Sequence, residues 1–348
     1  MVVTSTRSIC SPHSYLGPAF ALAAFLASLN LLPGASSSNA TAAALTPVSS
    51  SPTRGCPAYP AFPDSSCTGW KHTGVTLTLV PSQVSRGAGW HVDTAGGQQI
   101  FYITKDNAVI DGLDIELCVK VFANNVTIQR SRVRCSDYYA IRMSDPPTRY
   151  RGLKLIDVEL DGLGRPGAQT IAVEEAADGH FLRIDVHSMG SSGPRIGSGT
   201  VIEDSYIHDF ICNPGDHTAG LSSNGGGNNI VVRHNNIDID QRPGCATAAW
   251  EIALDFGTYD GVLTERNLFN GGSYCAYAAL SVPKSLFPPA SNVRFIDNVF
   301  GRKYAPRCGR YGAIAQWAHS PGSVWLNNTW GPGAMATPDR NVGDPVTP

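Results

Sequence analysis

Two carboxyl groups in a short, largely apolar segment are the residues of this sequence best suited to acid–base chemistry. Glu251 and Asp255 lie four residues apart, close to Trp250 and Phe256. Burial among such neighbours removes water from a carboxyl group and raises its pKa towards the range useful for proton transfer. His217 follows a turn-forming Pro and Gly, and such a turn delivers a side chain to the edge of a rigid scaffold. We predict that these three side chains are catalytic.

Five short segments of alternating polarity surround these candidates and are predicted to be strands: 140–144, 170–174, 220–224, 251–255 and 313–317. Successive side chains of a strand point to opposite faces, so the apolar alternates face inward and the others face outward. A groove that combines a cation, carboxylates and an aromatic ring suits a sugar chain, although polar residues are also what any solvated face requires. The outward side chains are predicted to form one file: Arg142, Glu174, Asn224, Asp255 and Trp317.

A repeated pattern indicates how these side chains are positioned. Nine segments begin with a small or polar residue, continue with alternating β-forming residues and end in Asn, Asp or Ser. The first β-forming residues of these segments, which we use as markers, are 17, 27, 28, 19, 30, 32, 31 and 31 residues apart: Val109, Val126, Leu153, Phe181, Thr200, Ile230, Val262, Val293 and Val324.

Short strands repeated in this way bury their inward side chains only when equivalent coils stack on each other. The sequence therefore predicts an all-β fold, a single right-handed parallel β-helix of nine or more coils stapled by disulfides. An antiparallel sandwich is the structural alternative, but it does not require the same motif in every strand.

The cysteines support stacked coils. Cys10 lies near the N-terminus, and the other eight form an even set without a C-x-x-C pair, which favours disulfides over a zinc or redox site. Cys118 and Cys135 are 17 residues apart, the same step as between Val109 and Val126, so they should lie one above the other on adjacent coils. The predicted pairs are Cys56–Cys67, Cys118–Cys135, Cys212–Cys245 and Cys275–Cys308.

Composition divides the chain into four segments. Residues 1–35 contain a basic residue, an apolar run and small residues in the order of a secretory signal peptide, and residues 36–55 form an Ala/Ser/Thr/Pro-rich linker. The apolar run has 14 residues, whereas a membrane-spanning helix needs roughly 20, so an uncleaved anchor is the less favoured alternative. We predict a β-helix domain at 56–330 and a flexible C-terminal tail at 331–348.

Several segments resemble secreted bacterial right-handed β-helix proteins of the pectin-lyase-like superfamily. The likeness covers most of residues 56–330 and is carried by 62–66 (FPDSS), by the NNVTI and NIVVRHNNI coils, and by 205–209 and 215–218. The likeness indicates the fold and not one reaction, because the superfamily includes lyases, polygalacturonases, epimerases and noncatalytic proteins. The resembling proteins often carry an acidic residue two positions after His217, where this chain has Ala219.

The resemblance implies an extracellular polysaccharide as partner, and our first prediction is a lyase that cleaves a uronic-acid-containing polymer by β-elimination. Lyases of this fold neutralise the substrate carboxylate with Ca²⁺ or a cationic side chain and use a basic residue to remove a proton. We predict Glu174 and Asp216 as the first candidates for binding Ca²⁺, with Glu251 and Asp255 as further ones. The candidates for the base are His217, Lys284 and Arg142.

Two alternatives remain open. A glycoside hydrolase uses two carboxyl groups about 5 to 9.5 Å apart, and Asp255 with Glu251 or Asp216 could supply them. A noncatalytic carbohydrate-binding or cell-surface β-helix would need none of these roles. Neither the polygalacturonase-like signatures nor the R-x-P-x-x-R run of pectate lyases is present in the sequence.

Two loops offer walls for the groove. The basic stretch 301–307 contributes Arg302 as a predicted substrate-binding residue, and the insertion 282–289 contributes Lys284, although both stretches could simply connect coils. The net charge of −2 and pI near 6.5 provide no basic field for nucleic acid or an anionic membrane. We expect a secreted monomer with no nucleic-acid partner and, after signal cleavage, no membrane partner.

Overall fold

The computed structural model describes residues 55–145, 148–211, 213, 215–240 and 246–348. Within these residues the protein is almost entirely β-structure, with one 3-10 helix at Lys71–Thr73. Residues 1–54, which contain the predicted signal peptide and nearly all of the predicted linker, lie outside the described residues.

Three long sheets, named here sheet A, sheet B and sheet C, make up the fold and have ten, eleven and nine strands. Sheet A consists of Thr78–Val80, Leu113–Ile115, Arg132–Arg134, Glu159–Asp161, Asp185–His187, Tyr206–His208, Asn236–Asp238, Leu268–Asn270, Val299–Phe300 and Thr329–Trp330. Sheet B consists of Arg86–Gly87, Trp90–Ala95, Gln98–Ile103, Cys118–Val121, Tyr139–Arg142, Ile171–Ala176, Ser192–Ile196, Thr218–Ser223, Ala246–Ile252, Tyr274–Ala278 and Gly312–Ala315. Sheet C consists of Val109–Asp111, Thr127–Gln129, Lys154–Ile156, His180–Leu182, Val201–Glu203, Gly227–Arg233, Tyr259–Glu265, Ser291–Ile296 and Val324–Leu326.

Each winding of the chain passes through sheet B, then sheet C, then sheet A, and each strand pairs in parallel with strands one winding earlier and later. Glu159, for example, pairs with Arg132 on one side and with Asp185 on the other. Parallel strands joined by such crossovers are right-handed in nearly all proteins. The exceptions are the first three strands of sheet B, which are antiparallel, and a hairpin of Ser144–Asp145 with Thr148–Arg149. The predicted right-handed parallel β-helix is confirmed.

The repeat markers all fall within sheet C or immediately before one of its strands. One continuous row of paired residues on this sheet points into the core from eight successive windings: Ile128, Leu155, Phe181, Ile202, Val232, Thr264, Phe295 and Trp325. Burying the same position in every winding requires the same pattern in every segment, and this is why the repeat is visible in the sequence.

The corners between sheets explain the Asn, Asp and Ser residues of the repeat. The first residue after each sheet C strand has a positive φ in nine windings: Gly112, Arg130, Asp157, Arg183, Asp204, His234, Arg266, Asp297 and Asn327. Beside this corner, four buried asparagines form a ladder, in which Asn235 Nδ2 donates to Asn267 Oδ1 at 3.0 Å and Asn267 Nδ2 donates to Asn298 Oδ1 at 3.0 Å. Asn298 Nδ2 donates to Asn328 Oδ1 at 2.9 Å.

Three of the four predicted disulfides are present: Cys56–Cys67, Cys118–Cys135 and Cys275–Cys308. The fourth, Cys212–Cys245, lies outside the described residues. We expected the Cys56–Cys67 disulfide to close the N-terminal end of the solenoid, but its loop packs along the side. Asn236 Nδ2 donates to Pro63 O at 3.0 Å, and His234 Nε2 lies 2.9 Å from Ala61 O.

The segment after Trp330 packs against the last winding, whereas we expected a flexible tail. Val346 is buried, and its carbonyl oxygen accepts a hydrogen bond from Trp325 Nε1 at 2.6 Å. The backbone N–H of Trp330 donates to Asp344 O at 2.9 Å. These contacts cover aromatic side chains at the end of the last winding that the structure describes.

Candidate functional site

The outer face of sheet B carries a row of side chains set by strand register. Arg195 pairs with Ser222, Ser222 pairs with Glu251, and Glu251 pairs with Tyr277 on the next strand. Neighbouring strands lie about 4.8 Å apart, so side chains of one row contact or face one another. The inward residues predicted for these strands are buried: Ile141, Met143, Ile171, Val173, Ile252 and Leu254.

A pocket of about 480 Å³ on this face, named here the Glu251 pocket, brings together the four residues predicted to be catalytic. His217, Glu251, Asp255 and Lys284 all line it, together with Tyr277 and others. His217 immediately precedes the strand Thr218–Ser223. The other residues come from two further strands of sheet B, the turn after one of them and the insertion at 282–289. Stacking of coils is therefore what assembles residues that are up to 67 positions apart in the chain.

Glu251 and Asp255 hold different positions from those predicted. The strand ends at Ile252, so Asp255 lies on an exposed turn, and Glu251 occupies the outward position in register with its neighbours. Trp250 points inward and is fully buried, and Phe256 is 73% exposed. The polar surroundings of Glu251 are therefore the adjacent strands and the turn, not the two aromatic residues beside it in sequence.

His217 lies at the opposite edge of the sheet from Glu251. It immediately precedes the strand Thr218–Ser223, whereas Glu251 is in register with Ser222 near the end of that strand. His217 and Ser222 are five residues apart along an extended chain, which corresponds to about 16 Å at about 3.3 Å per residue. His217 and Glu251 thus bound the pocket from two sides and do not form a direct proton-transfer pair.

The insertion at 282–289 forms a wall of the pocket and is tied to the body of the protein. Ser285 Oγ donates to Leu254 O at 3.1 Å, and Thr258 Oγ1 donates to Pro288 O at 2.8 Å. Val282, Lys284, Ser285 and Leu286 line the pocket. Lys284 is exposed and has no ion-pair partner among the described residues, so its ammonium group is available to a ligand.

The electrostatics of the pocket centre on Glu251. Burial, together with the negative charge of Asp255, raises the pKa of Glu251 to about 7 against the opposing charge of Arg195. Burial and the charge of Glu251 also raise the pKa of Tyr277 to about 12, so this phenol stays protonated. A carboxyl group that is about half protonated at neutral pH can donate or accept a proton there.

Glu174 and Asn224 lie in a neighbouring pocket of about 620 Å³, named here the Arg195 pocket. Both oxygens of Glu174 already accept hydrogen bonds, from the backbone N–H of Met143 at 2.8 Å and from Ser144 Oγ at 2.6 Å. Asn224 follows the strand end at Ser223, so it borders the row and does not belong to it. The Arg195 pocket is separated from the Glu251 pocket by the turn that carries Asp255 and Phe256.

Arg142 lies further along the same face, with Lys120 beside it in register. The two line a third pocket, of about 410 Å³, that includes the exposed ring of Tyr138. The Nε atom of Arg142 is buried and has no hydrogen-bond partner among the described residues. Arg142 is thus placed on the predicted face, but away from Glu251.

Two of the predicted substrate-binding residues, Arg302 and Trp317, pack against the body of the protein. Arg302 is buried, its Nε donates to Gly331 O at 2.8 Å and its Nη1 donates to Arg340 O, so it ties the C-terminal segment to the body. Trp317 follows Gln316, whose φ of 60° turns the chain, and its ring packs edge-on against Trp325 at a centroid distance of 5.2 Å. The burial of Arg302 contradicts its predicted contact with substrate, whereas Trp317 is half-buried against the core and its predicted role stays a prediction.

Glu174 and Asp216, the first candidates for binding Ca²⁺, lie two windings apart in the structure. Glu174 has both oxygens engaged, as described above, and Asp216 lies at the entrance of a strand two windings later, where Gln169 Nε2 donates to its Oδ1 at 3.1 Å. Ca²⁺ requires six to eight oxygen ligands around one point. No group of three or more His, Cys, Asp or Glu side chains suited to a metal ion occurs in the described part of the chain.

Sequence reasoning missed Arg195 and Tyr277. The segment Ser192–Ile196 contains Gly193 and Pro194, which interrupt the alternation that marks a strand. Tyr277 lies in a Tyr- and Ala-rich strand without a clear polar face. A register alignment of the sheet B strands, rather than alternation within each one, would have found both.

Comparison with protein-family models, curated proteins and solved structures finds no match to this chain. Among the residues that the structure describes, no helix is long and apolar enough to cross a bilayer.

Proposed function

We propose that this protein is a secreted polysaccharide-cleaving enzyme whose reaction takes place in the Glu251 pocket. The observation that carries the proposal is the pairing, in one open pocket, of a half-buried carboxyl group, Glu251, with an exposed one, Asp255. Two carboxyl groups that differ in their exposure to water are suited to opposite roles in one reaction, one as proton donor and the other as an ionised group. The long, regular outer face of sheet B suits an extended sugar chain lying across the strands.

Hydrolysis with paired carboxyl groups is the reaction that this geometry supports best. Protonated Glu251 would donate its proton to the glycosidic oxygen as the bond breaks, and ionised Asp255 would assist the attack of water or stabilise the positive charge on the sugar. Tyr277, which stays protonated and pairs in register with Glu251, is a hydrogen-bond donor beside the reacting centre.

β-Elimination on a uronic-acid polymer is a second candidate, favoured by Lys284 in the same pocket. Its ammonium group could neutralise a substrate carboxylate, while the ionised fraction of Glu251 removes the adjacent carbon-bound proton. The arrangement lacks a dedicated base beside Glu251 among the described residues, because His217 lies across the sheet and Tyr277 resists ionisation. We therefore place elimination second.

Secretion is part of the proposal and is supported by the disulfides. Three bridges join Cys56–Cys67, Cys118–Cys135 and Cys275–Cys308, and such bonds persist in oxidising compartments. The predicted signal peptide at the N-terminus agrees with export.

The test is a product analysis on a panel of neutral and uronic-acid polysaccharides. New reducing ends without ultraviolet-absorbing unsaturated ends support hydrolysis, and unsaturated ends support elimination. Glu251→Gln and Asp255→Asn should each reduce turnover by at least a hundredfold, within the range that general acid–base catalysis contributes. The matched control is Glu116→Gln, which removes an exposed carboxylate beside a sheet A strand and should leave turnover unchanged. No new ends on any polymer, or full activity of Glu251→Gln, would overturn the proposal.

A further inference from the structure

The Arg195 pocket is lined by three arginines and two glutamates, and one of the arginines forms no ion pair among the described residues. Arg149 Nη1 lies 3.8 Å from Glu175 Oε2, and Arg151 Nη2 lies 2.6 Å from Asp178 Oδ2. Arg195, by contrast, has no carboxylate partner within ion-pair distance among the described residues, although it is only partly exposed. An unpaired guanidinium group on the wall of a pocket is a binding site for an anion, because its fork of N–H donors matches carboxylate and sulfate oxygens.

The other walls of the Arg195 pocket suit a sugar ring. Tyr139 and Phe256 provide aromatic surface, and the ring of Phe256 is 73% exposed. Asn224 and Ser198 add polar groups that can meet hydroxyls. The pocket volume, about 620 Å³, exceeds that of the Glu251 pocket, so it can accommodate a monosaccharide unit with its substituent.

The Arg195 pocket is also in line with Glu251. Arg195, Ser222 and Glu251 are consecutive members of one row, so Arg195 and Glu251 are two strands apart. Two strand spacings are about 10 Å along the solenoid. Within this row the small side chain of Ser222 stands between them, and its Oγ is buried without a hydrogen-bond partner in the described residues.

We propose that the Arg195 pocket binds an anionic substituent, a carboxylate or a sulfate, of a sugar unit on the N-terminal side of the Glu251 pocket. This inference rests on the proposed function and adds to it the position at which the polymer must carry its charge. The charged unit lies next to the site of cleavage and not within it, so the bond that is broken is adjacent to an anionic unit.

The bound anion also affects Glu251. The positive charge of Arg195 opposes the rise in the pKa of Glu251, and the other groups that face this carboxyl are Asp255, Tyr277, His217 and Lys284. An anion that neutralises Arg195 removes this opposition and keeps Glu251 protonated to higher pH. Occupancy of the Arg195 pocket therefore favours the form of Glu251 that donates a proton.

The test is a calorimetric binding measurement in the Glu251→Gln background, where the ligand is not consumed. The probes are an oligogalacturonate for carboxylate, a dextran sulfate fragment for sulfate and unsubstituted dextran oligosaccharide as the neutral reference. We expect at least one anionic probe to bind at least tenfold more tightly than the neutral one, and Arg195→Gln to abolish that preference. The matched control is Arg86→Gln, an exposed arginine of the first coil whose replacement removes the same charge and should leave the preference intact.

The outcomes separate the two proposals. Binding of the carboxylate probe, the sulfate probe or both, lost with Arg195→Gln, supports the inference and identifies the substituent. Equal binding of charged and neutral probes, no binding of any probe, or an anion preference that survives Arg195→Gln overturns it. Because no turnover is measured, a protein that cleaves polysaccharides can still fail this test, and a protein that cleaves nothing can still pass it.

Discussion

Replacing Glu251 with Gln should make the protein more stable at alkaline pH and change little at acidic pH. The folded protein raises the pKa of Glu251 from 4.5 to about 7, so folding disfavours its ionised form. Below pH 4.5 the group is protonated in both the folded and the unfolded state, and there is no penalty. Between pH 4.5 and 7 the carboxyl group ionises in the unfolded state but stays protonated in the folded state, so the penalty grows, and above pH 7 it is complete.

The magnitude follows from the size of the shift. The rise in the pKa of Glu251 from 4.5 to about 7 corresponds to about 3 to 4 kcal/mol, at about 1.4 kcal/mol for each pH unit. Gln keeps the shape of the protonated carboxyl and cannot ionise, so Glu251→Gln should gain about 3 kcal/mol in free energy of unfolding at pH 8.5. For a domain of this size that gain is about 5 °C in melting temperature.

The assay is urea unfolding followed by tryptophan fluorescence at pH 4 and pH 8.5, with the disulfides intact. The control is Glu203→Gln, because a hydrogen bond from His180 lowers the pKa of Glu203 and its contribution has the opposite sign. Glu203→Gln should lose stability at pH 8.5 and lose less at pH 4. If Glu251→Gln is equally stable to the parent protein at both pH values, the reasoning about its desolvation is refuted.

Three further variants test other parts of the structure. Asn267→Ala removes the middle of the buried asparagine ladder and should cost about 2–4 kcal/mol in urea unfolding, because it leaves buried amide groups without partners. Arg302→Ala should release the C-terminal segment to limited proteolysis and leave the binding of sugar probes unchanged, since Arg302 bonds only to backbone carbonyls of that segment among the described residues. Glu159→Gln should lose about 2–3 kcal/mol at pH 7 and progressively less as pH falls from 4.5 towards 2, because His187 and Lys71 outweigh burial and lower the pKa of Glu159 to about 2.

The scaffold could be predicted from the sequence because its signal is repeated. Each winding must bury the same positions and turn at the same corner, so the pattern that ends in Asn267 recurs at Asn298. The disulfide Cys118–Cys135 could be predicted for the same reason, because its separation of 17 residues equals one marker step. Repetition averages out local errors, and an error of one or two residues in a marker does not change the fold.

The site could be predicted only in part, because it depends on where each strand stops. Alternation from 251 to 255 treats Asp255 as an outward strand residue, but the strand ends at Ile252 and Asp255 enters a turn. Trp317 is likewise not an outward strand residue as predicted, since the left-handed conformation of Gln316 redirects the chain. Arg195 was missed because its strand contains Gly and Pro and is recognisable only through pairing with its neighbours.

Burial of charged side chains was a second source of error. Arg302 lies in a basic stretch that looks like an exposed loop in the sequence. In the structure it is 1% exposed, and its guanidinium group donates hydrogen bonds to backbone carbonyl oxygens. A sequence does not reveal which arginine the C-terminal segment will cover. We expected residues 331–348 to be flexible and therefore did not predict that they would cover Arg302.

The most direct test of this account is the titration of the Glu251 carboxyl group itself. Carbon-13 NMR of protein labelled at its glutamate side-chain carboxyls, with the resonance assigned by its loss in Glu251→Gln, reports this pKa without any assumption about substrate. We predict a midpoint near pH 7 that falls in Asp255→Asn, because Asp255 contributes to the rise. A midpoint near 4.5, unaffected by Asp255→Asn, would contradict the claim that the register of sheet B creates an acid–base group on its outer face.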